Sequence, residues 1–170
     1  MRILRWIRNI FAVVLGLLVV VSIGARFSDG PLGILAGGPL VSGERVTGAE
    51  PNWDFAKSID TVEFQLMDPA RSRTTWILVH DGKIYIPCGY MNSTWGRIWK
   101  QWPIEALEDG RAILRIRDKL YERGLVRIEE GPLLAPLTAE LSWKYARVAD
   151  IGPEAVTSGY LWLFELAPRS

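Results

Sequence analysis

The stretch that decides the fold is residues 74–88, TTWILVHDGKIYIPC, in which two runs rich in strand-forming residues flank Asp81-Gly82. Both central residues of a two-residue hairpin turn must tolerate positive φ, and Asp-Gly is among the strongest signals for such a turn. The β-branched and aromatic residues on either side favour extended strands. The stretch therefore predicts an antiparallel β-hairpin.

Further strand patterns lie on both sides of this hairpin. Residues 61–67 (TVEFQLM) alternate apolar and polar side chains, as a half-buried strand does. Residues 111–117 and 121–128 predict a second hairpin, joined through Asp118-Lys119, and residues 160–166 (YLWLFEL) predict a closing strand. All local connections are antiparallel, so the strands suit a closed or nearly closed barrel, which leaves few exposed edges.

Two helices are predicted between these strands. The first begins near Ser93 or Thr94 and runs to about Glu108, with Pro103 restarting it at a first-turn position. The second is the amphipathic stretch 137–148, where one face carries four apolar residues. They are Leu137, Leu141, Tyr145 and Val148. The predicted fold class is therefore mainly β (α+β): a single antiparallel split β-barrel of about six strands with two helices.

The N-terminus predicts a transmembrane helix that precedes the barrel. Residues 9–25 (NIFAVVLGLLVVVSIGA) carry no charge and follow MRILRWIR. They span roughly 25 Å, and with Trp6 at the interface and the arginine heads snorkelling, this suffices to cross a lipid bilayer. Three arginines precede the apolar run and Arg26 follows it, which favours a cytoplasmic N-terminus in the inner membrane and a periplasmic C-terminal domain.

A signal peptide is the alternative for the N-terminus. Its basic start and apolar middle have the same order, and Ser22-Ile23-Gly24 offers a small-x-small cleavage site. After it, glycines and prolines interrupt residues 27–50, which predicts an arm that lies along the domain or the bilayer surface. The predicted organisation is an anchor or uncleaved signal at 1–26, an arm at 27–50 and the barrel domain at 51–170.

Composition excludes several classes of protein. Lys and Arg number 20 against 19 Asp and Glu, and without a basic stripe no nucleic-acid partner is expected. Cys88 is the single cysteine, so the domain has no intrachain disulfide. His80 is the single histidine and has no second histidine or cysteine close to it, so no metal site is expected.

The order of Arg73, the Asp81-Gly82 turn, Ser93 and Arg97 resembles that in the FMN-binding split-barrel superfamily, which includes pyridoxamine 5'-phosphate oxidase-like proteins and deazaflavin-dependent nitroreductases. The resemblance covers about residues 71–128, and more weakly 137–169. It implies an FMN or deazaflavin cofactor. It also implies a homodimer, because the relatives commonly dimerise across the barrel. The implied cofactor-binding residues are Arg73, Thr75, Ser93, Arg97 and Lys100 at the phosphate, with Trp95 near the ring.

Each of these residues also has a simpler interpretation. Trp95, Trp99 and Trp102 have the spacing of a buried helix face, and Ser93 is a good helix cap without any phosphate. Cys88 is expected to be a small buried hydrophobe, and haem ligation by His80 or Cys88 is the weaker cofactor alternative.

The two arginines near the start of the hairpin also have a simpler role. Arg71 and Arg73 are placed to pair with Asp68 or Glu63.

Two functions therefore stay open: a flavin- or deazaflavin-dependent oxidoreductase of the nitroreductase kind, and a non-catalytic exported accessory or binding module without cofactor.

Overall fold

The chain forms a long N-terminal helix, a curled β-sheet and several short helices. The computed structural model describes residues 2–94, 96, 100–146 and 150–169. The α-helices are α1 (Arg2–Ala25), α2 (Trp102–Glu108), α3 (Leu134–Leu141) and α4 (Glu154–Thr157), with a 3₁₀-helix at Trp53–Ser58 and a π-helical turn at Ser142–Ala146. The strands are β1 (Glu44–Arg45), β2 (Thr61–Leu66), β3 (Arg71–Trp76), β4 (Leu78–His80), β5 (Lys83–Cys88), β6 (Arg111–Ile116), β7 (Lys119–Ile128) and β8 (Trp162–Pro168).

The sheet curls until its two edges approach each other. Its antiparallel strands follow the order β3-β2-β6-β7-β8-β5-β4, and β1 adds a short parallel pairing at β7. Strands β3 and β4 lie at opposite ends of this order, yet only Ile77 separates them in the chain. The chain bends at Ile77, and β3 comes close to β5 without a strand ladder between them. The result is an antiparallel half-barrel in an α+β fold, which confirms the predicted fold class.

Both predicted hairpins are present, and one turn lies one residue earlier than predicted. Asp81 and Gly82 have φ values of 48° and 70°, as a two-residue turn between β4 and β5 requires. The second turn is formed by Arg117 and Asp118, and Lys119 already pairs with Ile116. The inward position of Ile116 decides this register, because a shift of one residue would turn the strand's apolar side chains outward.

Alternating residues of the strands fill the interior of the half-barrel. Val62, Phe64 and Leu66 of β2 belong to one buried cluster with Leu114 of β6 and Phe164 of β8. A second cluster covers the outer side, where α3 packs on strands β4, β5 and β8. Its members from these elements are Leu134, Leu137, Leu141, Leu78, Tyr85 and Leu163. Burial of each large apolar side chain contributes about 1.5–3 kcal/mol relative to exposure, so the sheet is stabilised on both faces.

The helices of the barrel domain differ in part from the sequence prediction. Thr94 and Gly96 are helical, and α2 begins at Trp102 with Pro103 in its first turn, as predicted. The helix predicted at 137–148 begins earlier, at Leu134, and α3 continues into the π-helical turn Ser142–Ala146. The structure adds α4 and the 3₁₀-helix. These elements are short, so apolar periodicity within them is too brief to identify a helix. Val148 and Trp99 lie outside the described residues.

The arm, residues 27–50, folds against the outer face of the sheet. Leu40 is buried with Ile113 of β6 and Leu120 of β7. Asp29 accepts a hydrogen bond from Arg115 of β6 at 2.8 Å, and β1 runs parallel to β7. The parallel pairing departs from the antiparallel connections that the sequence predicted. It joins segments about 75 residues apart, which local patterns do not reveal.

Helix α1 is long and apolar enough to cross a membrane. It has 24 residues, and its most apolar window has a mean hydropathy of 2.3 with none of that window buried against the rest of the protein. A helix that is apolar on all sides and unburied by protein is suited to a lipid environment or to a signal sequence. The predicted apolar segment, 9–25, forms its C-terminal two thirds.

Candidate ligand-binding cleft

The inner face of the half-barrel is lined by apolar side chains from the other strands, but strand β3 carries polar side chains on this face. Its residues 71, 73 and 75 lie directly opposite inward-facing residues of β2. The pairs are Arg71 with Leu66, Arg73 with Phe64, and Thr75 with Val62. Directly opposite residues of an antiparallel pair share a face of the sheet, so all three polar side chains lie on the inner side at the edge of the half-barrel. This edge is where the curled sheet is split.

Arg73 is a largely buried cation, and one of its donors has no partner among the residues that the structure describes. Its guanidinium lies 5.6 Å from the centre of the Phe64 ring and 5.9 Å from that of Trp102. Its Nε is buried and has no hydrogen-bond partner among the described residues. Burial lowers the pKa of Arg73 to about 10, although the Glu105 carboxylate acts in the opposite direction. A buried donor without an acceptor is costly, so the site favours an anion that supplies one.

A cleft of about 1720 Å³ opens in front of this strand. It is lined by residues of β3, the segment after β5, helix α2, the arm and the region around α4. Among the lining residues are Arg71, Arg73, Thr75, Cys88, Gly89, Tyr90, Lys100, Trp102 and Glu105, with Arg26, Ile34, Leu35, Asp150, Glu154 and Tyr160 around them. Ligand sites in proteins commonly measure about 300–1,000 Å³, so there is room for a cofactor of nucleotide size.

Three of the predicted cofactor-binding residues line this cleft: Arg73, Thr75 and Lys100. The Lys100 ammonium donates a hydrogen bond to the Gly89 carbonyl at 3.2 Å and lies 5.4 Å from the centre of the Tyr90 ring. This contact holds the lysine at the cleft wall and leaves it further donors, since an ammonium has three.

Of the other three predicted residues, the structure describes only Ser93. The Ser93 hydroxyl donates to the Tyr90 carbonyl at 2.8 Å and accepts from the Gly96 N–H at 3.0 Å, so it stabilises the turn that starts the helix. Ser93 is not among the cleft-lining residues. Trp95 and Arg97 lie outside the described residues, so their part in a phosphate site stays a prediction.

Two aromatic residues of the cleft were not predicted. Tyr90 has a φ of 67° and an exposed ring, and it meets Tyr160 edge-on with 5.1 Å between ring centres. Tyr90 follows Gly89 at the end of a strand, and the sequence contains no stronger signal for it than this loop position. Tyr160 is about seventy residues away in the chain, so only the tertiary fold brings the two rings together.

Arg71 was assigned a surface ion pair, and the structure gives it another position. Glu63 pairs with Arg115 at 2.6 Å, and among the described residues neither Arg71 nor Arg73 forms an ion pair with Glu63 or Asp68. Arg71 lines the cleft two positions before Arg73. The period of two residues in a strand is the signal that identifies it, because residues 71 and 73 share one face.

Cys88 and Trp102 are part of the core rather than exposed chemical groups. Cys88 is buried with its Sγ 3.7 Å from the Met91 Sδ, and burial raises the pKa of its thiol to about 11. Trp102 packs edge-on against Phe64, with 4.9 Å between ring centres. Within the described ranges, no group of three or more His, Cys, Asp and Glu side chains is placed to hold a metal ion.

Comparisons with known proteins give only distant similarity. No protein-family model matches the chain, and a search of curated proteins finds no match. The conserved hypothetical protein Rv2991 from Mycobacterium tuberculosis is 17% identical, with a TM-score of 0.49, over 74% of this chain and 82% of its own. The heme storage protein HutZ from Vibrio cholerae is 7% identical, with a TM-score of 0.49, over 69% of this chain and 87% of its own. Neither similarity identifies a ligand or an activity.

Proposed function

We propose that this protein is a membrane-anchored split barrel that binds a flavin or deazaflavin cofactor through its phosphate. The observation that carries the proposal is Arg73, whose buried Nε has no acceptor among the described residues and whose guanidinium faces a cleft large enough for a cofactor. Arginine binds phosphate through paired N–H donors, and these charge-assisted bonds are stronger than neutral ones. Thr75 and Lys100 line the same cleft and add a hydroxyl and a second cation.

The cleft also fits the flat ring of such a cofactor. The Tyr90 and Tyr160 rings supply aromatic surface beside the cationic wall, and Leu161 supplies apolar surface. Haem is less well supported, because the Cys88 thiol is protonated at neutral pH and His80 lies at the hairpin turn rather than among the cleft-lining residues. The donor set therefore favours an organic phosphate over a metal-centred group.

A bound flavin or deazaflavin would supply the redox chemistry of an oxidoreductase. The chain's own residues would bind and orient it: Arg73 and Lys100 at the phosphate and Tyr90 beside the ring. Glu105 offsets part of the positive charge near Arg73. We assign no general acid or base to the site.

We further propose that α1 is retained as an anchor in the inner membrane, with the barrel on the periplasmic side. Ala25 is fully buried at the end of α1, and its carbonyl accepts a hydrogen bond from the Ser28 hydroxyl at 2.7 Å. Residues 22–24 of the candidate cleavage site are helical within α1, and the next residue, Ala25, is buried, so the end of α1 is part of the folded structure. Arg2, Arg5 and Arg8, in the first turns of α1, favour the cytoplasm as the side of the N-terminus.

A non-catalytic binding module is the second candidate function. The observation that favours it is Ser93, whose hydroxyl is already used within the turn before the helix. In this case the cleft holds no redox cofactor, and the arm contacts a membrane partner.

Cofactor binding by the full chain in detergent distinguishes the two candidates. FMN, riboflavin and a phosphate-bearing deazaflavin are titrated while flavin fluorescence and the visible spectrum are recorded. Because FMN and riboflavin differ by the phosphate, tighter binding of FMN measures the contribution of the cationic wall. Loss of charge-assisted hydrogen bonds costs about 1.5–3 kcal/mol, so Arg73→Ala should weaken FMN binding by about 10- to 150-fold and leave riboflavin binding nearly unchanged.

Arg45→Ala is the matched control, because Arg45 is exposed and pairs with Glu122 on β7, and it is not among the cleft-lining residues. Thermal unfolding of both variants checks that they are folded. Haem is titrated in the same way, and a chain that binds none of FMN, deazaflavin and haem would contradict the cofactor proposal and support the binding module.

A further inference from the structure

The segment that follows α1 is held rigidly against the barrel. The Ser28 hydroxyl contacts the carbonyls of Ala25 and Gly30, each at 2.7 Å. Asp29 accepts hydrogen bonds from the Val41 N–H and from Arg115, both at 2.8 Å. Because Arg115 belongs to the sheet, the end of α1 is connected to the barrel through a folded arm rather than a free tether.

The loop formed by residues 27–36 exposes two large apolar side chains to an unusual degree. Phe27 is 86% exposed and Ile34 is 91% exposed, the highest values among the large hydrophobic residues described. Ile34 lies at the tip of a tight turn in which Leu32 and Leu35 exchange backbone hydrogen bonds of 3.1 and 3.0 Å. These contacts hold the tip in place, so the exposure of Ile34 is built into the fold.

The length of α1 places this loop at the level of the lipid head groups. Its 24 residues extend about 36 Å, which is longer than the hydrocarbon layer of about 30 Å and shorter than the full bilayer of about 40–45 Å. Phe27 is two residues beyond the helix, a distance of at most about 7 Å. Phe and Leu side chains of interfacial segments are buried at the head-group boundary, and arginines such as Arg26 are attracted to anionic lipid surfaces.

The same loop forms part of the cleft wall. Ile34 and Leu35 line the cleft together with Arg71 and Arg73. A loop embedded in the head-group layer would therefore place the mouth of the cleft directly beside the membrane.

We propose that residues 27–36 insert into the head-group layer of the bilayer, so that the cleft opens at the membrane surface and takes its ligand from there. The expected ligand is distinct from the proposed cofactor: it carries an anionic group for Arg26 and Arg71, which also line the cleft, and an apolar part that stays in contact with lipid. This inference rests on the proposed function only in taking α1 as a membrane anchor, and it does not depend on the identity of the cofactor.

Depth-dependent quenching tests the proposal on the full chain in vesicles of phosphatidylcholine and phosphatidylglycerol. Ile34→Cys and Phe27→Cys are labelled with an environment-sensitive fluorophore, and Val126→Cys on β7 is the exposed control. Cys88 is left in place, because it is buried and the parent chain measures its background labelling. Nitroxide lipids labelled near the head group and aqueous iodide serve as the two quenchers.

We expect the probes at residues 27 and 34 to be blue-shifted, and to be quenched several-fold more by the nitroxide lipid than the probe at residue 126. Aqueous iodide should quench the probe at residue 126 more than the probes at residues 27 and 34. Equal iodide quenching at residues 34 and 126 in vesicle-bound protein would overturn the proposal but not the anchor. Protein that does not float with the vesicles would overturn both.

A second copy of the chain is the other occupant that could cover this loop. Protection from iodide that grows with the protein-to-lipid ratio, without nitroxide quenching, would assign the surface to such a dimer and overturn the membrane proposal.

Discussion

The Tyr145 side chain binds the backbone at the bend of the half-barrel, where the edge strands β3 and β4 are not paired with each other. Its hydroxyl accepts a hydrogen bond from the Ile77 N–H at 3.1 Å. The same hydroxyl lies 2.7 Å from the Ile77 carbonyl and 2.6 Å from the Asp60 carbonyl, and it donates to one of them. The ring stacks on Trp76 with 4.5 Å between centres and 5° between planes. The change Tyr145→Phe keeps this ring and removes only the hydrogen bonds.

The expected loss of stability in Tyr145→Phe follows from the backbone groups that lose the tyrosine hydroxyl as a hydrogen-bond partner. An unpaired buried N–H costs about 1–3 kcal/mol, and a lost hydrogen bond about 0.5–1.5 kcal/mol. Ile77 is fully buried, but the tyrosine itself is only half-buried, so water replaces part of the loss. We expect the free energy of unfolding to fall by about 2 kcal/mol, which for a domain of this size lowers Tm by about 6 °C.

Thermal unfolding of the full chain in detergent, followed by circular dichroism, measures this effect. Tyr121→Phe is the matched control, because Tyr121 is buried in the core and no hydrogen bond to its hydroxyl is present among the described residues. Equal Tm changes in the two variants would refute the assigned role of the Tyr145 hydroxyl.

Lys144 provides a second, coupled test of this contact. Its ammonium donates to the carbonyls of Ile59 at 2.6 Å and Ile77 at 3.0 Å. Because the Lys144 ammonium and the Tyr145 hydroxyl both contact the Ile77 carbonyl, the effects of Lys144→Met and Tyr145→Phe should be non-additive in a double-mutant cycle. Strict additivity would contradict a shared contact.

Two further predictions concern single side chains. Because burial raises the pKa of the Cys88 thiol to about 11, a disulfide reagent should modify it slowly in the folded chain and rapidly in guanidinium; a fast reaction in the folded chain would contradict this environment. The Ser42 hydroxyl, with the Val41 N–H and Arg115, holds the pKa of Asp29 at about 2, below its ordinary value of 3.8. Since the folded-state pKa is the lower one, this stabilisation is present above about pH 4 and is lost as the pH falls through about 2. Asp29→Asn should therefore reduce the loss of stability measured between these pH values, and an unchanged acid transition would show that Asp29 does not contribute.

Local sequence patterns predicted most strands and both hairpins. The Asp81-Gly82 turn and the alternation in residues 61–67 depend on neighbours within a few positions, so sequence alone reveals them. Strand β3 was only partly predicted, because SRTT at 72–75 lacks the apolar alternation of a half-buried strand. Its polar residues face a cleft instead of a core, and this is also why they are functional candidates.

The candidate site was predicted only where the resemblance to a family supplied its residues. Arg73, Thr75 and Lys100 share one cleft, whereas Ser93 contacts its own turn. Tyr90 and Tyr160 belong to segments that approach only when β5 pairs with β8. No pattern within either segment indicates this contact.

The sequence by itself determined the apolar N-terminal helix, the two turns and the alternating strands, because each depends on interactions within a few residues or on the solvent. The tertiary structure decided that β3 and β4 separate at Ile77 and lie at opposite edges of one sheet. It also decided that the arm packs against the sheet, and that Arg73 lines a cleft while its Nε has no acceptor among the described residues. These features depend on contacts between distant segments, which form only when the sheet curls and its edges meet.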